Sequence, residues 1–395
     1  MNENSKRRRM KTIYLDNNAT TTISPEVLNE MLPYLKEFYG NPSSGHSFGR
    51  NLYYKIEQAR EKVALLIGAE PEEIIFTSCG TESDNTAIRS AIQLDKKKQH
   101  IITTQVEHPA VLNLAKYMER KGYKVTYLPV DRTGKLDIDA LMHVIDDEPA
   151  IVSIMYANNE TGVIFPIAEI GTICRERGIL FHTDAVQAVG KVPIDVKKLG
   201  VDMLSMSGHK LHAPKGIGAL YVRKGCRFFP YLLGGHQEYG QRAGTENLAS
   251  IVALGKACEL ALENIPCEQI NVAGLRDLLE LNLTNKCSDI FINGCGSERL
   301  SNTLNISFSN VDSEAFLHRL DKYGICASAG SACSSSSSEP SHVLRAMRVP
   351  DAAIHGSIRF SLSRYTIVDE VNTVIDIIPE IINELRGSPI FRNCE

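Results

Sequence analysis

Short apolar runs alternate with stretches of helical periodicity from residue 11 to about residue 262. Apolar runs bounded by turn residues predict strands, and apolar positions spaced by three or four residues predict helices. Repeated strand–helix–strand units favour an α/β domain with a mostly parallel seven-stranded sheet, covered by helices on both faces. The predicted strands lie at residues 73–77, 100–104, 124–128, 151–155, 179–182, 203–206 and 217–222. The helices predicted among them lie at residues 57–66, 110–121, 139–145 and 167–177.

The pattern changes after about residue 265. Longer helical stretches at residues 274–283, 313–323 and 368–385 surround short strands at 305–309 and 357–361. This change predicts a smaller α+β domain at the C-terminal end. We therefore divide the chain into a disordered basic tail (1–11), a large domain (12–262) and a small domain (263–395). The small domain carries a loop rich in small residues at about 327–340.

The composition is that of a soluble globular protein, with 43% hydrophobic and 23% charged residues. The formal net charge of -4 provides no basic field, so neither nucleic acid nor a membrane is expected as a partner. No apolar run reaches the roughly 18–20 residues of a membrane helix, and the N-terminus lacks the apolar core of a signal peptide. We therefore expect a cytoplasmic protein, with Lys6-Arg7-Arg8-Arg9 as a solvated tail without a function of its own.

The ten cysteines include no Cys-x-x-Cys pair, so neither a zinc site nor a dithiol motif is indicated. In a long chain without a secretory signal, most cysteines are expected to be reduced and buried. Cys333 differs because it begins a run of five serines inside a Gly/Ser/Ala-rich segment. A plain linker is one explanation of this segment. A thiol that must move between a substrate and an acceptor is another, because such a composition gives mobility.

Five predicted strands end in polar residues that could bind a ligand. The carboxyl ends of parallel strands meet at one edge of a sheet, which is where ligands bind in open α/β folds. Singly, each group has an ordinary explanation, such as an N-cap by Thr81 or Ser83 or a turn at His108. Together they are better explained as one site. The five ends carry Gly80-Thr81, His108, Asn158-Asn159, Asp184 and Lys210.

These residue types match the needs of pyridoxal phosphate (PLP). Lys210 would form the Schiff base and then move the Cα proton, while Asp184 would keep the pyridinium protonated. His108 would stack on the ring and relay protons, and Gln187 would donate to the phenolic oxygen. The glycine and the helix that follows it suit a phosphate. The candidate phosphate ligands are Thr81, Ser207 and His209.

From Tyr14 to Tyr365 the chain resembles the PLP-dependent cysteine desulfurases of the nitrogen-fixation type, which are similar to class-V aminotransferases. The resemblance rests on six motifs in order, which makes it specific. They are Asn41-Pro42-Ser43-Ser44, Glu107-His108-Pro109, Ala157-Asn158-Asn159-Glu160-Thr161-Gly162, Thr183-Asp184-Ala185-Val186-Gln187, Ser207-Gly208-His209-Lys210 and Gly330-Ser331-Ala332-Cys333.

The resemblance implies a fold-type I PLP-dependent transferase that works as a homodimer with shared active sites. It implies Thr245 as a ligand of the neighbouring subunit's PLP phosphate, and Arg359, helped by Asn159, as the group that binds the substrate carboxylate. Cys333 would attack the sulfur of L-cysteine, keep it as a persulfide and release L-alanine. The residues implied around PLP are Gly80, Thr81, His108, Asn159, Asp184, Gln187, Ser207, His209 and Lys210.

The resemblance also implies a sulfur acceptor, either an iron–sulfur scaffold protein or another acceptor. Cys333 would then be a transient ligand of a [2Fe-2S] cluster shared with the scaffold, because one cysteine cannot hold a cluster alone. Two alternatives stay open. The first is another PLP enzyme of this fold, namely a selenocysteine lyase, a cysteine sulfinate desulfinase or an aminotransferase. The second is a non-catalytic assembly scaffold.

Overall fold

The computed structural model describes residues 12–95, 97–145, 149–330 and 339–387. The basic tail at 1–11, Cys333 and the serine run that follows it lie outside these ranges, so the predictions made for them stay predictions.

The described chain contains twelve strands and twelve α-helices. The strands are β1 (Ile13–Tyr14), β2 (Ile74–Thr77), β3 (His100–Thr104), β4 (Lys124–Leu128), β5 (Ile151–Ser153), β6 (Phe181–Asp184), β7 (Met203–Ser207), β8 (Gly218–Val222), β9 (Ile290–Ile292), β10 (Thr303–Phe308), β11 (Ile325–Cys326) and β12 (Ser357–Ser361). The helices are α1 (Pro25–Lys36), α2 (Ser47–Ile67), α3 (Gly80–Leu94), α4 (Pro109–Arg120), α5 (Ile138–Val144), α6 (Ile167–Glu176), α7 (Val196–Leu199), α8 (Leu248–Lys286), α9 (Ser313–Lys322), α10 (His342–Ala346), α11 (Asp351–Ile354) and α12 (Val368–Arg386).

The central element is a seven-stranded sheet in the order β2-β8-β7-β6-β5-β3-β4. Every neighbouring pair is parallel except the two that involve β8, which runs antiparallel to both β2 and β7. This confirms the predicted α/β class and the mostly parallel sheet. All residues of β2, β3, β5, β6, β7 and β8 are buried, which is typical of a sheet covered on both faces.

Some predicted strand bounds differ from those observed. The strand predicted at 179–182 runs instead from Phe181 to Asp184, because its paired part extends into buried polar residues that an apolar count misses. The strand predicted at 151–155 ends at Ser153, where the chain leaves the ladder. These shifts matter for the site, since they place Asp184 inside β6.

A second, antiparallel sheet in the order β12-β10-β9 has its own apolar core, shared with α9, α12 and the last part of α8. Ile13 and Leu15, from the start of the described chain, also pack into this core. The helix predicted at 274–283 is the last part of α8, which has 39 residues and continues through Pro266. The predicted domain boundary at residue 262 falls inside α8 and stays a prediction.

Within the described ranges, no helix combines the length and the apolar character needed to cross a lipid bilayer.

Candidate active site

The polar strand ends meet in one pocket. Because β8 is antiparallel to both its neighbours, β2 points the same way as the parallel strands, and their carboxyl ends share one edge. Arg359 reaches the same pocket from β12 of the second sheet. The pocket is lined by ten of the predicted residues: Gly80, Thr81, His108, Asn159, Asp184, Gln187, Ser207, His209, Lys210 and Arg359.

One end of the pocket suits an anion. Helix α3 begins here at Gly80, and its N-cap residue Cys79 makes no side-chain hydrogen bond to the first turn. The alternative of an N-cap by Thr81 or Ser83 is therefore wrong, and the Ser83 hydroxyl instead lies 2.8 Å from that of Thr77. The buried Ser207 hydroxyl has no hydrogen-bond partner among the described residues. Helix dipole and free donor together favour an oxyanion such as a phosphate.

Gly80 also keeps this end of the pocket open. A Cβ atom added there would lie 2.5 Å from Cγ2 of Val186, a residue that lines the pocket floor. The backbone N–H of Val186 in turn donates to Oδ1 of Asp184 at 2.9 Å. Gly80 therefore allows a close approach between the anion end and the segment that holds the Asp184 carboxylate.

Asp184 is buried beneath the pocket, and burial raises its pKa to about 6, while the N–H of Val186 and the charge of Lys210 act in the opposite direction. The pKa of neighbouring Asp84 lies well above its ordinary range, because of burial and the nearby Asp184. A cation in the pocket would stabilise the ionised form of Asp184, since an opposite charge favours the ionised carboxylate. A protonated pyridine ring is such a cation.

Lys210 follows β7 and reaches back to the chain after β1. Its Nζ donates to the backbone oxygen of Asn18 and, at 2.7 Å, to that of Ala19. Two carbonyl oxygens thus hold the amine at the pocket wall. Such a position suits an amine that must exchange one partner for another during a reaction.

His108 also lines the pocket and is the N-cap residue of α4. Its Nδ1 accepts a hydrogen bond from the N–H of Ala110 at 3.1 Å, so the neutral ring carries its proton on Nε2. Burial, with smaller effects from Lys210 and His342, lowers the pKa of His108 to about 4. The ring is therefore neutral near pH 7, with an N–H available to the pocket. His209, whose Nδ1 lies 3.2 Å from the Thr20 hydroxyl, has its pKa lowered to about 4 by burial and nearby lysines.

Arg359 is almost completely buried, at 1% exposure, yet lines the pocket. Its Nη1 donates to the backbone oxygen of Asn159 at 2.9 Å, and its Nη2 pairs with Oδ1 of Asp16 at 2.8 Å. Its Nε has no partner among the described residues. The guanidinium is thus held in one orientation beside the pocket, as recognition of a carboxylate requires.

Thr245 does not line this pocket and is exposed on the surface. Two ion pairs fix the segment before it, Arg60 with Glu238 at 2.7 Å and Arg242 with Glu82 at 2.9 Å. Its expected role toward a neighbouring subunit stays a prediction. Cys333 lies outside the described residues, so its expected position is also untested.

Sequence reasoning missed several pocket residues. Asn18 and Ala19 act through backbone oxygens, which no side-chain pattern reveals. Asp16 does not line the pocket but pairs with Arg359, and this pairing depends on the meeting of two distant segments. The signal for Asp84 is a carboxylate on the otherwise uncharged buried face of α3.

The residues present fit PLP. The anion end, the buried carboxylate and the lysine match the phosphate, ring nitrogen and aldehyde of that cofactor. Among the described residues no group of three or more His, Cys, Asp or Glu side chains is arranged to hold a metal ion.

Comparison with known proteins agrees with this geometry. Residues 13–374 match the family described as Aminotransferase class-V. "Cysteine desulfurase" of Trichormus azollae is 57% identical over 386 residues, covering 98% of this chain and 96% of that protein. "Cysteine desulfurase NifS" of Azotobacter vinelandii is 53% identical over 379 residues, covering 96% and 94% respectively. A solved structure described as "NIFS-LIKE PROTEIN" is 40% identical with a TM-score of 0.89, covering 95% of this chain and 100% of that one.

The fold and the site define a class-V aminotransferase-type enzyme. With relatives of this identity and coverage, the chain belongs to the cysteine desulfurases of that family. The resemblance inferred from the sequence motifs is confirmed, and the family implies PLP as the cofactor.

Proposed function

We propose that the chain is a cytoplasmic, homodimeric enzyme that converts L-cysteine to L-alanine and transfers the sulfur to Cys333. The observation that carries this proposal is the convergence of Lys210, Asp184, His108 and Arg359 in one pocket. The first three suit chemistry at the Cα of an amino acid, and the fourth suits its carboxylate. The pocket is thus equipped for an α-amino acid substrate.

PLP would be held by Lys210, by Asp184 at the ring nitrogen, and by the Gly80–Thr81 turn with Ser207 at the phosphate. When bound, PLP supplies an electron sink for the negative charge that develops at the substrate Cα. Gln187 lines the same wall; its Nε2 donates one N–H to the backbone oxygen of Asn18 and would donate the second to the phenolic oxygen. These residues would bind and orient PLP, whereas the stabilisation of the negative charge is a property of the cofactor.

Arg359 would bind the substrate carboxylate and so fix which bond of the Cα faces Lys210. Lys210 would then take the Cα proton as a general base. His108 would donate a hydrogen bond or a proton from Nε2, because its Nδ1 accepts from the N–H of Ala110. The low pKa of His108 leaves the imidazole neutral near pH 7, with its proton on Nε2.

Sulfur transfer requires a thiol nucleophile. Cys79 lines the described pocket, but we assign the role to Cys333, as the resemblance to the cysteine desulfurases implies. Its thiolate would attack the substrate sulfur, so that the substrate C–S bond breaks and an S–S bond forms on Cys333. One cysteine and one enzyme thiol give one alanine and one persulfide, with no external oxidant needed. An external thiol or an acceptor protein then removes the terminal sulfur.

The dimer is supported by the surface around Thr245. Thr245 is exposed, as are large apolar side chains of α1, the residues just after it, α2 and the segment 229–239, and so much exposed apolar surface is typical of an interface. A second copy covering this face would bring Thr245 near the other subunit's pocket. The exposed residues include Leu35, Phe38, Tyr39, Phe48, Tyr53, Tyr54, Phe229, Tyr231, Leu233 and Tyr239.

The physiological acceptor would be an iron–sulfur scaffold protein or another sulfur carrier. A [2Fe-2S] cluster shared transiently with the scaffold through Cys333 is part of the same proposal. The similarity to cysteine desulfurases supports the sulfur chemistry of this proposal.

The test is turnover of L-cysteine by the PLP-loaded protein with a reductant, with alanine and sulfide assayed together. Equal amounts of both are expected, and Lys210→Ala should abolish them. Pyruvate and ammonia in place of alanine would indicate a β-eliminating lyase. Turnover of selenocysteine, cysteine sulfinate or a keto acid pair, with none of cysteine, would favour another enzyme of this fold.

A further inference from the structure

Lys191 is a buried lysine that the proposed reaction does not use. It lies four residues after Gln187, in the turns that follow β6, and is 9% exposed. Its Nζ donates to the backbone oxygen of Gln187 at 2.9 Å and to the side-chain Oε1 of Gln187 at 3.3 Å. Burying an amine is costly, so its retention beside a pocket residue calls for a reason.

The contact fixes which end of the Gln187 amide faces the pocket. Because Lys191 donates, the group turned toward it is the Oε1 acceptor. The Nε2 group of Gln187 then points the other way and donates to the backbone oxygen of Asn18 at 3.0 Å. That same oxygen accepts from Lys210. A chain of contacts thus joins Lys191 to Lys210 through Gln187 and Asn18.

Charge neutralisation is a poorer explanation of Lys191. Its Nζ borders a cavity of about 20 Å³ that Glu268, Arg364 and Lys210 also line. The Glu268 carboxylate already pairs with Arg364, whose Nε lies 2.7 Å from Oε1. Burial is the main cause that lowers the pKa of Lys191 to about 7; Lys210 and Arg359 act in the same direction, and Glu268 opposes them. The hydrogen bonds to Gln187 are therefore the contacts of Lys191 that bear on the site.

We propose that Lys191 is a positioning residue that holds the Gln187 amide with its NH2 group toward the cofactor pocket. This inference rests on the proposed function, in which Gln187 donates to the phenolic oxygen of PLP. Without Lys191, the amide could present its oxygen to that acceptor, and two acceptors would then face each other.

The first experiment is a double-mutant cycle that measures the PLP dissociation constant of the reconstituted full chain. Lys191→Met should weaken PLP binding by roughly tenfold, the effect of losing one hydrogen bond in a buried site. In the Gln187→Ala background the same change should have an effect of less than about threefold, because coupled residues are not additive. Equal losses in both backgrounds would show that Lys191 does not act through Gln187.

A spectroscopic readout separates this role from a merely structural one. Lys191→Met should raise the pH midpoint at which the visible band of bound PLP changes, because a donor to the phenolic oxygen is lost. An unchanged midpoint would contradict the inference. Lys198→Met is the matched control: it removes a side chain that is 84% exposed and should leave affinity and midpoint unchanged.

Gln187→Glu keeps the inference testable if Lys191→Met does not fold. The carboxylate can still accept from Lys191 but offers no donor toward the pocket, so PLP should bind at least as weakly as in Gln187→Ala. Native affinity in Gln187→Glu would mean that the oxygen end faces the cofactor. If the native chain binds no PLP or does not turn over cysteine, the proposed function is wrong. If the native chain binds PLP and turns over cysteine, and the variants have the same PLP affinity and pH midpoint as the native chain, only the proposed role of Lys191 is wrong.

Discussion

Gly80→Ala tests how tightly the anion end of the pocket is built. The new Cβ would lie 2.5 Å from Cγ2 of Val186, whereas carbon atoms in contact are about 3.5–4.0 Å apart. Val186 must therefore move by about 1 Å, and a valine has few other rotamers to use. The backbone N–H of Val186 is held by the Asp184 carboxylate, so we expect the Val186 side chain to move toward the pocket.

The effect should depend on whether the pocket is filled. In the cofactor-free protein Val186 can shift into open space, so the loss of stability should be small. With PLP bound that space is taken, and overpacking costs about 1–3 kcal/mol. PLP affinity should therefore fall by roughly five- to 150-fold.

The assay is a titration of the cofactor-free protein with PLP, paired with thermal unfolding without PLP. Val186→Ala should rescue Gly80→Ala, because the Cβ of residue 186 would lie 3.8 Å from the new Cβ, an ordinary contact. Native affinity in Gly80→Ala would refute the reasoning. A double variant as weak as Gly80→Ala would show that Val186 is not the obstacle.

Three further predictions follow from buried charges. Arg359→Lys should raise KM for L-cysteine at least about tenfold through loss of the planar fork, and an unchanged KM in steady-state kinetics would contradict its assignment. Arg60→Met should lower the free energy of unfolding by about 3–5 kcal/mol, because Glu238 is left buried without its cation; denaturant unfolding measures this, and a loss under about 1 kcal/mol would be too small. The pKa of His108 falls from 6.5 to about 4 on folding, so its stabilising effect is present above pH 6.5 and is lost as pH drops toward 4. Between pH 7 and pH 5 the cofactor-free native chain should lose about 2 kcal/mol more stability than His108→Gln; equal losses would mean that His108 is not buried as a neutral ring.

The sequence could predict the sheet because its strands are short apolar runs separated by clear turn residues. The edge that carries Asp184 and Lys210 then followed from the parallel topology alone. The position of Arg359 at the pocket could not be predicted from the strand pattern. Arg359 belongs to a second sheet, and its place depends on contacts with Asp16 and Asn159, which are distant in sequence. It was found only through the family resemblance.

Helix α8 shows a different limit. Its apolar residues serve two cores, the first contacted by the stretch near Leu254 and the second by that near Leu279, so they form no single stripe. Pro266 adds a break signal inside it. The periodicity consequently predicted only its last part. The sequence signal for Lys191 is a lysine that directly follows the small and apolar residues 188–190, four residues after Gln187.

The most direct test of the central claim is the location of the sulfur after one turnover. The PLP-loaded protein is mixed with L-cysteine without a reductant, alkylated and digested. The masses of its cysteine-containing peptides are then measured by mass spectrometry. The proposed function predicts one additional sulfur atom on the peptide with Cys333 and one alanine released per labelled site. Cys333→Ala should show neither, whereas Cys267→Ala, which removes an exposed cysteine, should behave like the native chain. Alanine formed with the extra sulfur on another cysteine, or undiminished in Cys333→Ala, would contradict the assignment of Cys333 as the sulfur acceptor.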